Sequence, residues 1–124
     1  MPLNDRDVSY LLDMLACCED IRQFVDEVTY EQFDQDKMRR LATERQVQVL
    51  GEAAGRVSAE TQTHLSHIEW RKIIGLRNKL SHDYGEILAQ RVWQISRTNV
   101  PRLAKELSPI PEVRTDYERQ ENGE

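Results

Sequence analysis

The sequence predicts an all-α protein, four to five helices in an up-and-down bundle, with a kinked last helix and an irregular C-terminal tail. Three observations predict it. Only five glycines and four prolines interrupt 124 residues, so long helices are permitted. Apolar residues recur at spacings of three and four, the period of a helix with one buried face. Nowhere does the two-residue alternation of a half-buried strand appear. The length suits one domain and a core that needs no disulfide or metal to hold it. We place that domain at residues 1–107 and an acidic, flexible tail at 108–124.

The first helix begins at a cap supplied by Asn4 or Asp5 and runs to about Val28. Val8, Leu11, Leu12, Leu15, Cys18, Ile21, Val25 and Val28 form its core stripe. Thr29 with Gln32 matches a capping box and opens a short helix or turn. Asp36 caps the next long helix, KMRRLATERQVQVLGEAAGRVS, in which Val47, Leu50, Ala54 and Val57 share a face. Gly51 and Gly55, four apart, would let another helix approach closely. Residues 58–67 are polar and read as a connection with one helical turn. A further helix covers Ile68 to His82, stopped by Gly85. The last helix runs from Glu86 to Leu107 with Ala89, Trp93, Ser96, Val100, Leu103 and Leu107 as its stripe, and Pro101 should kink or restart it. Beyond it, SPIPEVRTDYERQENGE has two prolines, many acids and no apolar period, the composition of a mobile tail.

Charge is unevenly distributed. The chain carries −5 overall, yet residues 66–105 hold eight Lys/Arg against three Asp/Glu. A general nucleic-acid coat is excluded, but a small basic site within that segment is not. Cys17 and Cys18 are adjacent, point in different directions on a helix and make a poor disulfide pair. No apolar run approaches the ~20 residues of a membrane span, and no secretory leader is expected. The expected compartment is therefore the cytoplasm, with no membrane partner. His64 and His67 form H-x-x-H without a third ligand type nearby, so they read as surface residues and no metal site or cofactor is expected. Trp70 and Trp93 read as core or interface anchors. Glu44 and Glu52 read as partners for arginines.

The chemistry concentrates in RNKLSHDY, residues 77–84. Histidine moves protons near neutral pH, and arginine offers a permanent planar cation to phosphate. RNA carries its own nucleophile, the 2′-hydroxyl. A base to remove its proton and a cation on the phosphorane oxygens suffice to cleave it. Asn78 and His82, four apart, share a helix face, whereas Arg77 and His82 lie about 140° apart around the axis. Either the helix ends at His82, or a second copy of the chain supplies the other half of a twofold site.

The stretch IEWRKIIGLRNKLSHDY resembles the HepT-like branch of the HEPN proteins. The resemblance rests on Arg77, His82 and Tyr84 in R-x4-H-x-Y spacing, preceded by Trp70, Arg71, Ile73, Gly75 and Leu76. It extends to Gly51–Ala54 upstream and to Val92 and Trp93 downstream, and covers residues 5–107. It implies a HEPN-like helical fold and a metal-independent endoribonuclease toxin, with Arg77 and His82 catalytic in a cleft between two subunits. Asn78 and Lys79 would support RNA or phosphate contact. The substrate would be tRNA or mRNA. The implied partner is an antitoxin with a minimal nucleotidyltransferase fold, able to transfer AMP to Tyr84. Family members often carry a large apolar residue after the tyrosine, where this chain has Gly85. The alternative is a non-catalytic HEPN dimerisation module that binds a nucleotidyltransferase or nucleotide, and beyond it a purely structural bundle.

Overall fold

The structure, a computed structural model, describes residues 2–123, which contain helices and no strand. Helix α1 (Asp5–Val25) starts where Asn4 Oδ1 accepts the Asp7 N–H at 2.8 Å. It buries Leu11, Met14, Leu15, Cys18, Ile21 and Val25. Thr29 forms the predicted capping box, exchanging bonds of 2.8 and 3.1 Å with Gln32. The box opens α2 (Tyr30–Gln35), whose Phe33 is fully buried. Asp36 accepts the Arg39 N–H at 3.1 Å and caps α3 (Lys37–Arg56). Val47, Leu50 and Ala54 of α3 meet the stripe of α1, the most extensive helix pairing in the fold.

Ser58 caps the short α4 (Ala59–His64), and its neighbourhood holds a buried polar knot. Asp7, only 2% exposed, accepts the Ser58 N–H, the Ser58 hydroxyl, the Thr61 hydroxyl and the Asn4 amide at 2.5–3.0 Å. Burial alone would push this carboxyl up. The bonds from Ser58, Thr61 and Asn4 outweigh it and hold the group below the usual carboxylate range.

The helix expected over Ile68–His82 is two helices, α5 (Trp70–Ile74) and α6 (Leu76–Ser81), hinged at Gly75. Trp70 is buried, its indole N–H bonded to the Leu65 carbonyl at 3.0 Å. The hinge follows from packing. α5 presses its backbone on α3 at Gly51, where a Cβ would stand 3.0 Å from the Ile73 carbonyl oxygen. Gly85 does not stop the helix before it, which ends at Ser81. It opens α7 (Gly85–Gln94) with φ +51, a conformation strained for residues with a Cβ.

Pro101 acts one turn earlier than expected. Residues Ile95–Asn99 form a π-helical turn, and Pro101 then sits in the first turn of α8 (Val100–Leu107). The wider turn removes the conflict between the proline ring and the helical ladder. The predicted stripe survives the change of pitch, with Ala89, Ser96, Val100, Leu103 and Leu107 buried.

The irregular tail expected over 108–124 is corrected. Residues Pro111–Glu121 form α9, Val113 and Ile110 are buried, and the Leu3 N–H donates to the Glu112 carboxylate at 2.8 Å. Proline at the first helical position lacks only an N–H that would be unpaired anyway. Val113 and Tyr117, four apart, give α9 one apolar edge against α1. The Glu19 carboxylate of α1 lies near Tyr117 and pushes its phenol up. Among the described residues no helix is long and apolar enough to cross a membrane.

Candidate active site

α6 has two buried side chains, Leu76 and Leu80, one turn apart. Their burial turns Arg77, Asn78 and Lys79 to solvent. The helix closes on itself at its end, where the Ser81 hydroxyl donates to the Asn78 carbonyl at 2.7 Å. His82 is the C-cap and is exposed. The helix therefore does end at His82, as one of the two geometries open to the sequence required. The helix ends at the imidazole, which need not follow its 100° step. No hydrogen bond or ion pair joins Arg77 to His82 within the protomer among the described residues.

Asp83 explains why an acid sits inside a basic motif. Its largely buried carboxylate accepts Nε–H of Arg91. This ties the link after α6 to the second turn of α7. Tyr84 follows in extended conformation (φ −133, ψ 158) and is 81% exposed. Pinned by Asp83 on one side and turned by the left-handed Gly85 on the other, the phenol projects into solvent. α7 itself rests on an aromatic cluster. Trp93 packs at 5.1 Å from Phe33 and 5.8 Å from Tyr30. Arg97 lies 5.3 Å over the Trp93 ring and donates to the Val25 carbonyl at 3.2 Å.

The guanidinium of Arg77 is 69% exposed and its Nη1 lies 3.9 Å from Oε1 of Glu52 on α3. The same oxygen is 3.7 Å from Nη1 of Arg45. Glu52 does pair with arginines, as its sequence context indicated. That it holds the motif arginine together with Arg45 was missed. The available signal was the spacing of seven, which sets Arg45 and Glu52 on one face of α3. On that same face Met38 and Leu41 are exposed, Met38 by 84%. Beside the motif, Ile74 and Ile87 are also exposed. In the chain Ile74 and Ile87 thus bracket the basic segment.

His64 and His67 lie apart from this segment, at the end of α4 and in the turn after it, both exposed. Among the described residues no group of three His, Cys, Asp or Glu side chains is placed to hold a metal ion. Cys17 and Cys18 are buried, free thiols on α1, and burial pushes them up to about 11 and about 12. They remain protonated and unreactive at neutral pH.

A helical bundle that displays an Arg/His/Tyr segment on a helix end defines a class, and comparison with known proteins identifies it. The profile of the family described as "Ribonuclease HepT-like" matches residues 14–110. The chain belongs to the HepT-like ribonuclease family. It is similar to "Putative RNase MJ1380" of Methanocaldococcus jannaschii, 31% identical over 109 residues, covering 87% of this chain and all of that protein. It is also similar to "Putative RNase MJ0125" of the same organism, 30% identical over 85% of this chain and 91% of that protein. "Probable ribonuclease HepT" of Thermococcus cleftensis is 29% identical over 76% of this chain and 86% of that protein. No solved structure matches the chain at comparable stringency.

Proposed function

We propose that this protein is a metal-independent endoribonuclease, the toxin of a two-component system, working as a homodimer that brings two motif segments around one RNA phosphodiester. His82 of one copy takes the 2′-hydroxyl proton as the oxygen attacks the adjacent phosphorus. The bond from phosphorus to the 5′-oxygen breaks, and that oxygen takes a proton from the imidazolium of the other copy's His82. The products are a 2′,3′-cyclic phosphate and a 5′-hydroxyl. Arg77 stabilises the charge that accumulates on the phosphorane oxygens, while Asn78 and Lys79 hold the strand on either side. DNA, lacking the 2′-hydroxyl, is not cut.

One observation carries this reading. In a ribonuclease family member, Arg77, Asn78, Lys79, His82 and Tyr84 are all exposed on a segment whose apolar side is buried. The one largely buried polar residue of the segment, Asp83, is occupied with Arg91, which leaves the arginine, histidine and tyrosine of the motif on the surface, where a ligand can reach them. Exposed Ile74 and Ile87, which bracket the segment in the chain, and Met38 and Leu41 on the face of α3 that carries Glu52, would supply a surface for the second copy. Tyr84 is where a nucleotidyltransferase antitoxin would act. The phenolic oxygen attacks the α-phosphorus of ATP, loses its proton and displaces pyrophosphate, leaving an AMP ester. That ester places bulk and negative charge where RNA phosphate must bind.

The test is cleavage of RNA by the purified chain in EDTA. His82→Ala should lower kcat by about 10²–10⁴, the usual worth of a general base. Arg77→Ala should fall as far, with helical spectrum and dimer mass retained. Cleavage that survives both substitutions rejects the site. A protein that binds a transferase but cleaves nothing is the adaptor instead. An unchanged intact mass for the protein treated with ATP and its transferase removes the role given to Tyr84.

A further inference from the structure

We propose that Arg45 is a second phosphate-binding cation of the same site, held beside Arg77 by the shared carboxylate of Glu52. The inference rests on the proposed function and adds a residue outside the motif. Oxygen Oε1 of Glu52 is 3.7 Å from Nη1 of Arg45 and 3.9 Å from Nη1 of Arg77. The two guanidinium nitrogens therefore lie no further apart than the two arms joined, about 7.6 Å. Neighbouring phosphates along a strand, separated by one sugar, are spaced on the same scale. One carboxylate between two arginines leaves a net positive charge, and both arginines keep more than half of their surface in water. Stability does not account for the arrangement, because exposed ion pairs contribute little to it. What the carboxylate does is lie between two like charges, beyond hydrogen-bond distance of either, and offset part of their mutual repulsion at the junction of α3 with α6.

The placement is enforced from below. Gly51, next to Glu52, lets the backbone of α5 come so close that a Cβ would stand 3.0 Å from the Ile73 carbonyl. That contact sets the register of α3 against the helix that carries Arg77. Glu52 is accordingly a positioning residue and Arg45 a binding residue. The motif arginine faces the scissile phosphate, and Arg45 takes the next one.

The experiment uses the full-length protein and an RNA whose 2′-hydroxyls are methylated, so that binding is read without cleavage. Cleavable RNA of the same sequence gives kcat and KM. Arg45→Ala should raise Kd and KM about tenfold while kcat falls far less. The slope of log Kd against log salt should drop by about 0.7, one phosphate contact on a single strand. Arg45→Lys should recover most of that slope. Glu52→Gln should lower kcat about tenfold without a matching rise in Kd, since the change adds positive charge, and Glu52→Asp should restore part of the loss. Unchanged Kd and slope in Arg45→Ala, or a loss of dimer mass in that variant, overturns the proposal. So does an unaltered kcat in Glu52→Gln. Failure of the underlying reading looks different: the wild-type protein binds methylated RNA through Arg45 yet cuts nothing.

Discussion

Asp7 shows how one residue ties distant parts of the chain. Four hydrogen bonds converge on its carboxylate, joining the start of α1 to the start of α4. Three of the donors belong to Ser58 and Thr61, which have no other partner there if the carboxylate is removed. Asp7→Ala should therefore destabilise the fold by about 2–3 kcal/mol, the cost of buried donors left unpaired. The pH dependence has a definite sign. The folded carboxyl sits below its ordinary 3.8, so its contribution is complete above that value. It is lost as pH falls through the folded-state value. Thermal melts between pH 2 and 7 should show an acid limb that is shallower in Asp7→Ala than in wild type. Parallel curves would mean that another group drives acid unfolding. From the sequence, the expected cap is Asn4 or Asp5 and nothing singles out Asp7, whose partners Ser58 and Thr61 lie more than fifty residues away. Its role was illegible for that reason.

At the scale of the element, what could be read locally was read well. Asn4, Thr29 and Asp36 cap the helices they were assigned to, because a cap is decided within four residues. The stripes of α1, α3 and the last helix were equally legible, since burial follows the helical period. The exceptions all depend on a neighbour. Gly75 hinges α5 and α6 because α5 must lie on Gly51. The π turn before Pro101 depends on how the chain re-enters the core. α9 exists because Val113 and Tyr117 find α1, which two apolar residues in an acidic stretch do not announce. Gly51→Ala tests the contact that organises the site. A new Cβ 3.0 Å from a backbone carbonyl must push α5 away, at a cost of about 1–3 kcal/mol. It should also move Glu52 relative to Arg77. The expected result is a lower melting temperature together with a kcat reduced more than stability alone explains. Gly55→Ala, whose Cβ would meet only Ile74 Cγ2 at 4.0 Å, is the matched control and should be nearly neutral in both.

For the whole molecule, the decisive issue is whether one protomer is a complete catalyst. Arg77 and His82 are both exposed but unlinked within the protomer; Ile74 and Ile87, on either side of them in the chain, and Met38 and Leu41 on α3 are exposed as well. A second copy related by a twofold axis would cover those apolar residues and bring two imidazoles and two guanidiniums into one groove. This assembly makes a prediction that a self-sufficient protomer cannot satisfy. His82→Ala homodimers should be inactive. Random re-pairing of an equal mixture with wild type makes about half of the dimers mixed, as twofold symmetry requires. A mixed dimer keeps one imidazole, which can take the 2′-hydroxyl proton or protonate the leaving 5′-oxygen but has no partner for the other transfer. Half of the wild-type chains then sit in mixed dimers, so the cleavage rate per wild-type chain should fall by about half, with native mass spectrometry reporting how many mixed dimers are present. A self-sufficient protomer would keep its full rate beside a dead partner. An unchanged rate per wild-type chain in a mixture rich in mixed dimers would confine catalysis to one chain and remove the shared groove from the mechanism.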